Sequence, residues 1–208
     1  HQSRNIGIRS FVFNDKNELL INGEKTFLRG VNRHQEYPFV GYATSAQADY
    51  RDAVKIKSAG FDYVRLSHYP HSTAFMKAAD ELGLVLLDAI LGWQYYNPTK
   101  EFEAHTLKAC ADLLRRDRNH ASVIAWECSL NESDMPGEFI AALSDTVHAE
   151  YLGAYSAGWE LGYDIFVQAR QHRLQHYETP TVPYIVSEYG DWEYYAQNAG
   201  LNQDSWQD

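Results

Sequence analysis

The sequence predicts an α/β protein: a parallel sheet wrapped by helices and curved into a (β/α) barrel. Three observations predict it. From residue 27 onward, short apolar runs of strand length alternate with longer runs of helical periodicity, and parallel strands need crossover helices to join them. The expected strand ends carry polar residues in series: Asn32 and His34, Ser67 and His68, Asp88, Asn131 and Glu132, then Glu188. Function gathered at the carboxyl ends of several strands marks a barrel. Finally, an open doubly wound sheet would carry a glycine-rich phosphate turn after an early strand, whereas Gly30 stands alone in Arg29-Gly30-Val31-Asn32.

The elements follow in order. Two alternating apolar runs, 8–13 and 18–21, flank Asn14-Asp15-Lys16-Asn17 and read as a β-hairpin, with a second turn at Asn22-Gly23. Residues 1–25 thus form a hairpin and linker, and residues 26–208 the barrel proper. Strand 27–31 leads to helix 45–59, which Gly60 ends. Strand 63–66 leads to helix 73–82, ended by Gly83. Then come strand 84–87, a long helix near 102–116, strand 123–126 and helix 138–149. The rhythm weakens afterwards: 155–157 and 164–167 read as short strands, 169–177 as a helix and 184–186 as a strand. That makes seven strands after the hairpin. An eight-unit barrel takes about 250 residues, so the expectation for these 208 is a barrel whose eighth strand is missing.

Composition narrows the function. A net charge of −10 argues against a broad phosphate-binding surface, hence against nucleic acid as a partner. No apolar run approaches the length of a membrane span. Residues 1–7 lack the basic-then-apolar layout of a secretory signal. Because the chain opens on His1 rather than Met, the compartment stays open among periplasm, secretion and cytoplasm. Two cysteines are too few for a disulfide framework, and since Cys110 and Cys128 both sit in apolar segments they read as buried free thiols. Aromatic residues reach 14% and cluster at Gly92-Trp93-Gln94-Tyr95-Tyr96 and Asp191-Trp192-Glu193-Tyr194-Tyr195. Flat rings with polar rims suit stacking on sugar faces, and they equally suit ordinary packing.

Two carboxyls carry the chemistry. Glu132 follows the buried run Val123-Ile124-Ala125-Trp126, so it is partly removed from water, as a proton donor should be, and Asn131 supplies a fixed partner beside it. The competing reading is a cap for the helix that opens nearby. Glu188 ends Tyr184-Ile185-Val186-Ser187, where Tyr189 can donate a hydrogen bond that keeps it ionised as a nucleophile. The competing reading there is a structural salt bridge. Two carboxyls on separate strands of one mouth perform glycoside hydrolysis, one protonating the leaving oxygen while the other attacks the anomeric carbon. His34 and His68, at strand ends on the same mouth, are candidates for bonding sugar hydroxyls. His172 and His176 share a helix face at metal-binding spacing, but no glutamate accompanies them and Arg170 and Arg173 would repel a cation. A solvated face is the better reading.

These residues resemble the catalytic TIM barrel of glycoside hydrolase family 2, the β-galactosidase and β-glucuronidase group. The matching runs are Leu28-Arg29-Gly30-Val31-Asn32-Arg33-His34, Val64-Arg65-Leu66-Ser67-His68-Tyr69-Pro70, Arg116-Asp117-Arg118-Asn119-His120, Asn131-Glu132-Ser133 and Ser187-Glu188-Tyr189-Gly190. The resemblance implies a retaining β-glycosidase with a carbohydrate substrate, Glu132 as acid/base and Glu188 as nucleophile. It implies that Asn131 bonds the sugar 2-hydroxyl, that His34 and His68 line the subsite of the cleaved sugar, and that β-sandwich domains precede the barrel in a longer chain. Trp93, Trp192 and Tyr189 are further candidates for sugar contact.

The sequence also departs from the family. Trp126 and Asn131 are five apart where four is common, which predicts a bulge at the end of that strand. Ala89 stands where the family usually has Glu, and Ala121 where it usually has Pro. Large β-galactosidases hold a magnesium ion through a Glu and a His just after strand three; here Trp93 and Tyr95 take those places. An indole offers no oxygen ligand, so the expectation is no metal and no cofactor. Asn-Glu-Ser leans toward β-galactosidase, Ser-Glu-Tyr-Gly toward β-glucuronidase as the alternative. A non-catalytic carbohydrate-binding module is the alternative of another class, but a binder needs no glutamates on two separate strands.

Overall fold

A computed structural model describes residues 6–169 and 181–189. It opens with three short antiparallel strands, β1 (Phe11–Phe13), β2 (Leu19–Ile21) and β3 (Glu24–Lys25). The expected hairpin is therefore a three-stranded meander, the Asn22-Gly23 turn carrying the chain into a strand too short to read by alternation. Asn22 and Gly23 both adopt positive φ there.

Seven parallel strands follow: β4 (Gly30–Arg33), β5 (Tyr63–Leu66), β6 (Val85–Ala89), β7 (Val123–Glu127), β8 (Ala157–Gly158), β9 (Ile165–Ala169) and β10 (Tyr184–Glu188). Each lies beside the next in sequence, and a bridge between Trp126 and Ser156 links the two halves of the run. The described residues contain no eighth strand. The crossovers are α1 (Ala46–Ser58), α2 (Thr73–Leu82), α3 (Lys100–Asp117) and α4 (Gly137–Glu150). Ser45, Ser72 and Thr99 cap the first three, each side chain accepting from the backbone N–H three residues on. Strand β4 starts later than the apolar run predicts, because Phe27 is exposed beside the Arg29 guanidinium rather than paired. The expected helix 169–177 begins on a residue that closes β9; the rest of it, with His172 and His176, lies outside the described residues, and so does Trp192.

Alternation along the strands builds two cores. In β5, Val64 and Leu66 face the helices, joining Phe75, Met76, Leu114 and Leu143, while Tyr63 faces inward to Leu87, Ile124, Ile165 and Val167. Phe11 of the meander, backed by Phe13, packs under this inner core, and both rings meet Tyr155 edge-on. Arg9 donates from its Nε to the Ala121 carbonyl at the start of β7. The meander therefore closes the end of the sheet opposite the strands' carboxyl ends.

Two bulges set which side chains reach the interior. Leu86 pairs with Val123 but Leu87 with Ala125, so Ile124 is an extra residue and both Ile124 and Ala125 join the inner core. This bulge precedes Trp126, so it is a different one from that predicted at the strand's end from the Trp126–Asn131 spacing; within β7 the register after Ala125 is regular. The bulge turns Trp126 to the helix side and Glu127 inward. In β10, Val186 pairs with Gln168 and Glu188 with Ala169, leaving Ser187 unpaired in register and turning Glu188 inward.

Two expectations are corrected. Cys110 of α3 and Cys128, just beyond β7, are fully buried as expected but form a disulfide, their Cα atoms 5.6 Å apart. The helix packs on the strand it leads into, which joins two residues that spacing alone left unrelated. Asp88 does not face the mouth. It is buried against the carboxyl of Asp117, which accepts two bonds from Arg116 Nε at 2.8 and 2.9 Å. Burial first, then the Asp117 charge, push the Asp88 carboxyl well above its ordinary value.

Candidate active site

The site begins with a charged residue inside an apolar strand. Arg65 follows the inward phase of Tyr63, so its guanidinium enters the interior, where it is fully buried. An isolated buried cation is costly, and the two bulged strands supply the partners. Arg65 forms a fork with Glu127, Nε to Oε2 at 2.8 Å and Nη2 to Oε1 at 2.5 Å. Its Nη1 donates to Glu188 Oε1 at 2.7 Å, and Nη2 also to Asn131 Oδ1 at 2.7 Å. One guanidinium thereby fixes the carboxylate ending β10 and the amide preceding Glu132.

Burial pushes the Glu188 carboxyl above its ordinary value; Arg65 opposes the rise, and the charges of Glu132 and Glu127 add to it. His68 Nε2 lies 3.6 Å from Glu188 Oε1 and 3.5 Å from Asn131 Nδ2. Burial, with Arg65 and His34 nearby, holds the His68 ring down to about 3, so this histidine is neutral at pH 7 and its contact with Glu188 is no ion pair. His34 stands edge-on to His68 at 5.6 Å between ring centres, and Trp93 tilts against His68 at 6.1 Å.

The loop after β6 is laced to the loop after β7. Asn131 N donates to the Gly92 carbonyl at 3.0 Å and Gln94 N to the Asn131 carbonyl at 2.8 Å, with Tyr95 N reaching Ser133 Oγ at 3.0 Å. Gln94 and Glu132 face each other across this ladder, and Gln94 Nε2 donates to Glu132 Oε2 at 3.0 Å. Both adopt left-handed backbone, φ 56° and 50°. Such conformations cost free energy in residues with a Cβ and cluster at functional sites.

The predicted residues His34, His68, Trp93, Asn131 and Glu188 are therefore brought together directly, and Glu132 through Gln94. Tyr189 is 60% exposed beside Glu188, and the bonds that fix that carboxylate include one from Arg65. Sequence reasoning missed Arg65, Glu127 and Gln94. The signal for the first two was present: a charge flanked by Val64 and Leu66, and another directly after Trp126, each in a strand otherwise apolar. Segment 38–42 is a further addition. Its exposed Phe39, Val40 and Tyr42 stand beside the mouth, Tyr42 against Tyr69 and Tyr69 against His34.

The residues in the magnesium positions do not fit that ion. Trp93 offers no oxygen, and Tyr95, in the second position, offers only a phenol oxygen on a residue that is 66% exposed. Among the described residues no group of three or more His, Cys, Asp or Glu is arranged to hold a metal. No described helix is long and apolar enough to cross a membrane.

Parallel strands in chain order joined by helices, with two glutamates at their carboxyl ends, define an α/β protein of the barrel type. Residues 12–207 match the model for glycosyl hydrolases family 2, TIM barrel domain, and the chain belongs to that family. It is 37% identical over 145 residues to a β-galactosidase of Thermoanaerobacter pseudethanolicus, covering 68% of this chain and 19% of the relative. To a putative β-glucuronidase of Formosa agariphila it is 30% identical over 154 residues, covering 69% and 19%. Among solved structures, the apo β-glucuronidase 3 of Bacteroides uniformis is similar with a TM-score of 0.72 at 24% identity, over 78% of this chain and 23% of that one. That likeness shows the fold. The chain spans about a fifth of the length of the curated relatives it matches.

Proposed function

We propose that this chain carries the catalytic centre of a retaining β-glycosidase, with Glu188 as nucleophile and Glu132 as acid/base. The observation that carries the reading is the pairing of Glu188 with Arg65 at 2.7 Å, at the end of one strand, while Glu132 stands at the end of another, close enough for its charge to act on Glu188. Glu188 would attack the anomeric carbon as Glu132 protonates the leaving oxygen; Glu132, then ionised, would take a proton from the water that releases the sugar. Burial keeps Glu188 basic, hence nucleophilic, and Arg65 keeps it ionised. Asn131, His34 and His68 would hold the sugar hydroxyls, Trp93 would form a stacking wall, and Tyr189 and Trp192 would extend the contact surface.

β-Galactosidase-like specificity is the favoured reading, supported by Asn131-Glu132-Ser133 and by the β-galactosidases among the relatives. β-Glucuronidase is the second, supported by Ser187-Glu188-Tyr189-Gly190 and by the putative β-glucuronidase relative. A panel of nitrophenyl glycosides, assayed with the full-length protein, separates them. The first-formed sugar must keep the β configuration; an inverted product, or no turnover of any β-glycoside, defeats the proposal.

A further inference from the structure

Glu127 has no part in the double displacement, yet its carboxylate is far more buried than that of Glu188 and grips the most buried charge of the site, Arg65. Its side chain is 1% exposed and that of Arg65 0%. A carboxylate placed there meets a large desolvation cost, which an ion pair offsets only when the geometry is good. Here it is good: the fork uses Nε and Nη2, and a planar guanidinium gripped along one edge cannot rotate. The donors left over are Nη1 and the second N–H of Nη2, and these are the ones that reach Glu188 and Asn131.

We propose that Glu127 is a positioning residue of the glycosidase centre, which aims Arg65 at Glu188 and matches the Arg65 charge so that the nucleophile stays basic. The proposal rests on the assignment of Glu188 as nucleophile. The charged or titratable groups that act on Glu188 include Arg65 and His68 from β5 and the turn after it, and Glu127 and Glu132 from β7 and the segment after it. His68 is neutral and Glu132 carries its proton when it acts as acid, so among these groups the opposed charges are those of Arg65 and Glu127. Removing the Glu127 charge acts twice in one direction. It deletes a repulsion on Glu188 and frees Arg65 to attract Glu188 more strongly. A nucleophile so held ionises at lower pH and attacks more slowly.

The test uses full-length protein and the nitrophenyl glycoside that it turns over best. Wild type is first treated with the 2-deoxy-2-fluoroglycosyl fluoride of the same sugar, and the labelled peptide identified by mass spectrometry. If the label falls elsewhere than Glu188, the assignment fails on wild type alone and this proposal falls with it. With Glu188 labelled, Glu127→Gln is expected to move the acid limb of kcat/KM down by about one pH unit and to slow labelling about tenfold at pH 7. A folded Glu127→Gln protein with unchanged limb and labelling overturns the proposal while leaving the nucleophile intact. Should Glu127→Gln not fold, Glu127→Asp decides. It keeps the charge but shortens the reach, so its acid limb should stay with wild type while kcat falls at least tenfold. A limb displaced by a full unit in Glu127→Asp, or an unchanged kcat, overturns it.

Discussion

Gln94 donates an amide N–H to the carboxylate of Glu132 at 3.0 Å, from a loop that the backbone of Asn131 stitches to it on both sides. This amide belongs to the residue between Trp93 and Tyr95, which stand in the positions that the resemblance assigns to magnesium ligands. A single neutral hydrogen bond contributes far less charge stabilisation than a divalent cation. Glu132 is thus oriented by the protein's own polar groups.

Activity should therefore be indifferent to chelation. Dialysis of the full-length protein against EDTA, followed by magnesium titration, is expected to leave kcat and KM within about twofold. A large loss that magnesium restores would show that residues other than those after β6 hold an ion near Glu132. Trp93→Ala should raise KM with kcat largely retained, since a wall that stacks on sugar contributes binding common to ground and transition states.

The two glutamates should separate by chemical rescue. Glu188→Gly removes the nucleophile, so turnover is expected to fall by several orders of magnitude, and azide should restore part of it by giving a glycosyl azide of inverted configuration. Glu132→Ala should slow substrates with poor leaving groups far more than activated aryl glycosides, which need no proton, and azide should there give the retained product. Opposite stereochemistry in the two rescues would mean that the roles are exchanged.

The pH profile should show the same asymmetry. Glu188 must be ionised to attack, and its carboxyl is raised above the ordinary 4.5, first by burial. Activity is then present above the raised value and lost as pH falls through it. The acid limb of kcat/KM is accordingly expected above pH 4.5. A limb at or below 4.5 would mean that Arg65 outweighs burial at this carboxyl.

The Cys110–Cys128 disulfide carries its own test. The bond spans 18 residues, and closing a loop near that length constrains the unfolded chain by about 3 kcal/mol. Protein purified without reductant should weigh about 2 Da less than its reduced form and should unfold at lower denaturant once reduced. Quantitative thiol labelling of the untreated, unfolded protein would show the bond absent.

Much of this fold was readable because local signals agreed with the global one. Ser72 before Thr73 and Gly83 after Leu82 bracket α2 as the sequence suggests, since a cap and a left-handed stop are local chemistry. Positions set by register were not readable. Whether Glu127 faces the interior depends on Ile124 being an extra residue, and nothing in Val123-Ile124-Ala125-Trp126 reveals that. Asp88 sits at a strand end like Glu188 but points to α3, because no bulge reverses its phase. The disulfide needed the packing of α3 on β7, a long-range fact. Within the site, His34, His68, Asn131 and Glu188 were legible from strand ends. Arg65 was not, because its partners arrive only on folding.

A close backbone approach seats β4 against β5. Gly30 opens β4 opposite Tyr63, and both Asp62 N and Tyr63 N donate to the Arg29 carbonyl, at 3.0 and 3.2 Å. A Cβ on residue 30 would stand 2.0 Å from the Tyr63 carbonyl oxygen and 2.6 Å from its carbon. Those are backbone atoms of a central strand and cannot swing aside. The alternative is for β4 to move, which would break its ladder with β5 and displace Arg33, buried between Asp49 and the Phe75 ring. Gly30→Ala should therefore cost about 3 kcal/mol or more, in the range where a named steric cause is required. Gly23→Ala is the control: that glycine has φ 83° but nothing within 4 Å of an added Cβ, so only the backbone conformation is penalised, by about 1 kcal/mol. Denaturant midpoints of the two full-length variants decide the matter. If Gly30→Ala proves as stable as Gly23→Ala, the contact between β4 and β5 is looser than these distances require, and His34 is not held at the mouth by it.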